Sequence, residues 1–127
     1  MPAGTLNVTI EQGATWEYAM TWSEYDAENS PTYAGDPIDL SIYSARAHIR
    51  RRKSATDYLL AMTTENGMIT LGGALGTISF HVPAEDTAAL SFATGVWDLE
   101  LFYTDGDEEI VRRLIEGTVT LSKEVTK

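Results

Sequence analysis

Two histidines, nineteen acids and no cysteine are what this 127-residue chain offers for chemistry. His48 and His81 each stand alone on the polar parity of an alternating segment. A metal site needs several ligands at matched spacing, such as a histidine pair on one helix face. The lack of cysteine excludes disulfides and thiolate metal sites. Serines occur, but none in a G-x-S-x-G elbow. Asp98 and Glu100 share one strand face and imitate the paired carboxylates of a glycosidase, although alternation on an outward face accounts for both. Asp105, Asp107, Glu108 and Glu109 could gather calcium through oxygen ligands, but they lack the spacing of a twelve-residue calcium loop. The glycine-rich stretch Gly72 to Gly76 has neither the lysine nor the following helix of a phosphate loop. The reading is of no catalytic residue, no cofactor and no metal, hence not an enzyme.

Charge narrows the remaining classes. The formal net charge is −10, yet five of the nine basic residues fall together as Arg46, Arg50, Arg51, Arg52 and Lys53. A chain this acidic is a poor partner for nucleic acid or an anionic membrane, both of which need a broad cationic surface. No apolar run approaches the ~20 residues of a membrane span. The first residues lack the basic start and apolar core of a signal peptide. The sequon Asn7-Val8-Thr9 is therefore expected to stay unmodified. Trp16, Trp22 and Tyr33 suit a sugar-stacking platform, and the first two suit a core equally well, since aromatics carry much buried area.

The elements that would hold these residues are mostly strands. From Gly95 to Leu121, Trp97, Leu99, Leu101 and Tyr103 alternate with Asp98, Glu100 and Phe102, and the return arm carries Ile115, Val119 and Leu121 on one parity. Period two with Asp105-Gly106 between the arms predicts a half-buried hairpin. Leu114 and Ile115 both read as buried despite opposite parities, which predicts a bulge there. Earlier strands are predicted at Leu6–Ile10 and Trp16–Trp22. A third, kinked near Ser41, runs over Ile38–Ile49, with Ala45 and Ala47 inward and Arg46, His48 and Arg50 outward. Tyr58–Met62, Ile69–Leu71 and Ile78–Val82 follow, divided by turns at Glu65-Asn66-Gly67 and at the glycine-rich stretch. Pro83 to Leu90 is the one helix-like piece, with proline first and acids in the opening turn. Ser23 to Pro37 reads as a long loop and 123–127 as a flexible tail.

Strands parted by turns about every eight to twelve residues mark a sandwich or small barrel. The fold class is therefore all-β: an Ig-like antiparallel β-sandwich of about seven or eight strands with one short helical turn near 83–90. The length suits one domain over 1–127, with no internal repeat or linker.

Three pieces recur together in a known setting: DPIDLSIYSARAHIR, ENGMITLGGALGTISFHVPAEDTAAL and GVWDLELFYTDGDEEIVRRLIEGTVTLSKEVT. Their order and wording resemble small β-sandwich tail and baseplate proteins of tailed bacteriophages, and the layout is similar to the N-terminal module of phage baseplate upper proteins. The resemblance runs from about Asp36 onward and contains no residue that performs chemistry. It implies a structural virion protein, made in the bacterial host cytoplasm and placed in the tail or baseplate as an adaptor. Its implied partners are other phage structural proteins, namely tail, baseplate and fibre or receptor-binding subunits, and copies of itself. The interface candidates are Arg50, Arg51 and Arg52 with the loop from Tyr25 to Tyr33. A capsid decoration protein and a carbohydrate-binding module are the alternatives.

Overall fold

The computed structural model describes residues 3–25 and 34–126, with the side chains of 24–25 and 34–37 left aside. Eleven strands and one short helix follow in order: β1 Gly4–Thr5, β2 Val8–Glu11, β3 Trp16–Thr21, β4 Ser23–Tyr25, β5 Ala34–Pro37, β6 Ser44–Arg50, β7 Leu60–Thr63, β8 Ile69–Leu71, β9 Thr77–Val82, α1 Ala84–Ala88, β10 Thr94–Asp105 and β11 Glu108–Ser122. A 3-10 turn spans Gly73–Leu75. The protein is an all-β sandwich of two sheets.

The larger sheet has the order β1-β11-β10-β6-β7, with β2 joining β11 beyond β1. The smaller has the order β3-β9-β8. The β10–β11 hairpin is the spine of the larger sheet. Along β10 the burial alternates strictly, with Trp97, Leu99 and Leu101 inward and Asp98 and Glu100 outward. Its register jumps from Leu99 opposite Ile115 to Glu100 opposite Arg113. Leu114 is thus the extra residue of the expected bulge, and it keeps both Leu114 and Ile115 half-buried.

The core lies between the two sheets. Ile10, Ala45, Ala47, Ile49, Met62, Leu99, Leu101 and Val119 come from the larger sheet, and Ile69, Ile78, Phe80 and Val82 from the smaller. An aromatic trio spans the layers. Trp97 meets Trp16 edge-on at 6.3 Å between ring centroids and Phe80 at 5.5 Å. Its indole nitrogen donates to the Leu6 carbonyl at 3.0 Å, so the one polar atom of this buried side chain is satisfied. At the opposite end of β10, Tyr43 packs edge-on against Tyr103 at 5.3 Å.

The helical turn carries the chain from β9 in the smaller sheet to β10 in the larger. Pro83 precedes it in an extended conformation, and Glu85 and Asp86 lie in its first turn, where acids favour the helix dipole. Thr87 is wholly buried. Its hydroxyl lies 2.8 Å from the Ala14 carbonyl, to which it donates, and accepts from the Gly13 amide at 3.0 Å. Leu90 and Phe92 close this end of the core.

Four local expectations give way to tertiary structure. The N-terminal strands run parallel to β11, not antiparallel, with Gly4 opposite Ile115 and Val8 opposite Val119. The segment from Ile38 to Tyr43 is no strand: the Tyr43 amide bonds back to the Leu40 carbonyl at 2.9 Å, and Asp39 accepts from the Ser41 amide. Leu40 is buried by that turn, which explains the parity change seen in the sequence. Tyr58 precedes β7 and is exposed, stacked on the His48 ring. The loop expected over 23–37 is bounded by the paired strands β4 and β5, with Tyr25 opposite Ala34. The remainder of that loop, Tyr33 included, lies outside the described residues.

Candidate interaction surfaces

Because the inward faces of both sheets are filled, chemistry must come from the outside. The outer face of the larger sheet carries a lattice of charges that follows directly from strand register. His48 faces Asp98 and Arg46 faces Glu100 across β6 and β10, while Asp98 also faces Glu116 across β10 and β11. Arg46 donates to Glu100 at 2.9 Å and to Glu109 at 3.2 Å, and its guanidinium sits 4.4 Å from the centre of the Phe102 ring. The Glu100 hydrogen bond above all holds Arg46 in its charged form. Arg113 reaches Asp98 at 3.6 Å and Glu116 at 3.5 Å.

Packing against this sheet moves two proton equilibria. Burial of the ring, then the neighbouring Arg50 guanidinium, pushes the His48 pKa below its ordinary value. Burial, then the like charge of Glu100, pushes the Asp98 carboxyl up against the opposing pull of Arg113. The two carboxylates at 98 and 100 serve ion pairs with Arg113 and Arg46. The histidines are on different sheets, and His81 lies exposed beside Glu17 at 3.5 Å. Among the described residues no three His, Asp or Glu side chains gather at metal-ligating distance.

The expected cationic surface divides into two parts. Arg50 turns back to hold its own connection, donating to the Ala55 and Thr56 carbonyls at 3.3 and 3.0 Å. Arg51, Arg52 and Lys53 stand exposed in the turn after β6. Lys53 alone of these three has an acidic neighbour among the described residues, Glu116 at 3.9 Å. Tyr25 belongs to the end of β4, and Tyr33 lies outside the described residues. The structure thus does not bring the arginines and the tyrosines together as one described surface.

Trp16 spends its ring on Phe80 and Trp97, in keeping with the core reading of that residue. Trp22 tilts against Tyr43 at 6.1 Å and also lines a cleft of about 680 Å³. That cleft lies between the edge of β3 and the first half of β11, and its walls include Met20, Val111, Leu114 and Ile115. Sequence reasoning did not find it. It exists because β1 covers β11 only at Ile115 and Glu116, and no stretch of local sequence reports where a neighbouring strand stops.

The fold and its surfaces define a compact β-sandwich module with a filled interior and a patterned charged exterior. Neither a family model nor a curated protein matches the sequence. Among solved structures, the N-terminal domain of phage TP901-1 ORF48 is similar, with a TM-score of 0.55 and 11% identity over 94% of this chain and 95% of that one. The likeness shows the same fold across both chains. It agrees with the resemblance to phage β-sandwich proteins that the three sequence pieces carry.

Proposed function

We propose that this chain is a structural protein of a tailed bacteriophage, a tail or baseplate adaptor that joins neighbouring subunits through its surface and catalyses nothing. The observation that carries the reading is the end-to-end fold likeness to a phage protein's N-terminal domain, 94% of this chain being covered. The charge lattice and the exposed Arg51-Arg52-Lys53 turn support it, since charged rims steer protein contacts and fix their register. Residues 1–127 act as one unit in this reading, with fibre or receptor-binding subunits and tail proteins as the neighbours. Arg51 and Arg52 are the foremost contact residues. Arg50 shapes the turn that presents them.

The test is quantitative mass spectrometry of purified particles, followed by labelling of the chain on the virion. The expected result is a fixed copy number per particle and label on the tail. Absence of the chain from purified virions would overturn the proposal, and label on the head would replace it with a capsid decoration role.

A further inference from the structure

Two clusters of exposed charge lie at opposite ends of one sheet. Arg51, Arg52 and Lys53 occupy the turn after β6, beside the start of β10, where Arg50 faces Val96. Asp105, Asp107 and Glu108 occupy the β10–β11 turn and are exposed. Asp105 lies nine positions after Val96 along β10, about 30 Å at the rise of an extended strand. Glu109, next along, is already engaged by Arg46. Among the described residues Asp105, Asp107, Glu108, Arg51 and Arg52 have no ion-pair partner.

Charges that far apart cannot neutralise one another within the molecule, since the screening length is only about 8 Å at physiological salt. A second copy displaced along the strand axis brings its acidic turn to the cationic turn of the first. The cationic turn has the composition of a contact site as well as its charge. Tyr58, 57% exposed, is stacked on His48 close to the loop that Arg50 braces, and exposed Tyr and Arg are the residue types that anchor protein contacts. Asp57 is the acid within this connection, and it leaves the turn with a net positive charge.

We infer that the protein associates with itself head to tail, the Asp105-Gly106-Asp107-Glu108 turn of one copy docking on the Arg51-Arg52-Lys53 turn of the next. Such a contact is heterologous: the two partners use different surfaces, so copies add in one direction and form rings or rows. The chain as a whole has a formal net charge of −10, which opposes any side-by-side arrangement. The inference stands on charge placement and not on the virion role, so the two can fail separately.

Analytical ultracentrifugation of the full chain tests it with three proteins: the wild type, Arg51→Gln/Arg52→Gln and Asp107→Asn/Glu108→Gln. In about 20 mM salt the wild type should form a concentration-dependent series, with an association constant falling at least about tenfold by about 200 mM salt. Each variant alone should be monomeric, because it keeps only one usable end. Mixed, the two should form a 1:1 dimer and nothing larger, through the native acidic turn of the first and the native cationic turn of the second. A wild type that stays monomeric at low salt would overturn the inference, as would variants that still self-associate or a mixture that does not pair. The salt series on the wild type is decisive even if a variant folds poorly.

Discussion

At the scale of single residues, His48 shows how register converts sequence into a titratable environment. Its ring lies on the outer face of the larger sheet, stacked on Tyr58 at 5.3 Å, with Arg46 and Arg50 on its own strand and Asp98 and Glu100 across from it. Burial and the Arg50 charge depress its pKa from the ordinary 6.5. A depressed pKa means that the unfolded chain takes up the proton more readily than the folded one. The neutral ring therefore contributes stability above about pH 6.5, and that contribution is lost as the pH falls through 6.5 towards the lower folded value. His48→Gln should remove this part of the pH dependence. Urea unfolding midpoints at pH 7.5 and pH 5 report it: the wild type should lose more stability than the variant on acidification. Equal losses would show that the ring is solvated as in the unfolded chain.

At the scale of elements, the N-terminal strands depend on one glycine. Gly117 faces Trp97 across the hairpin, and an added Cβ there would lie 2.0 Å from the Leu6 carbonyl oxygen. That carbonyl is the acceptor for the Trp97 indole, and the Leu6 amide donates to the Glu116 carbonyl at 2.9 Å. The obstacle is backbone, so a side chain cannot swing away to relieve it. Gly117→Ala should cost about 2–4 kcal/mol, the range of strongly overpacked sites and broken buried hydrogen bonds. Hydrogen exchange should show the loss concentrated in Gly4–Thr5 and the connection to β2. Unchanged protection there would mean that the strand and the indole bond re-form around the new methyl group.

At the scale of the whole molecule, Trp16, Phe80 and Trp97 join the two layers. Trp97 is 3% exposed, and Trp16 packs on it from the other sheet. This leaves a carbohydrate-binding role dependent on Trp22 at the cleft and on Tyr33, outside the described residues. Tryptophan fluorescence should accordingly stay flat through titration with a panel of oligosaccharides. A saturable shift would restore the sugar-binding alternative. On the exterior, by contrast, the Arg51-Arg52-Lys53 turn and the Asp105 to Glu108 turn place opposite charges at the two ends of the larger sheet, and charged surfaces of this kind steer protein contacts.

Much of this was legible in the chain of residues. Period-two alternation around Trp97, the Asn66-Gly67 and Asp105-Gly106 turns, the bulge at Leu114 and the proline-led helical turn all follow from local backbone chemistry, and together they specify a β-sandwich. The sequence also shows that the basic residues cluster against an acidic background. What it could not decide were the relations between distant segments. Parallel addition of Gly4–Thr5 and Val8–Glu11 to β11 gives no local signal, because alternation reads the same in either direction. The turn that buries Leu40 looks like a kinked strand until the neighbouring Gly73 carbonyl accepts the Leu40 amide. The opposition of the cationic and acidic turns is likewise a product of antiparallel pairing, which sets the residues after Arg50 and those after Asp105 at opposite ends of one sheet. Local preference chooses the strand and the turn, while burial and pairing across the chain choose who the neighbours are.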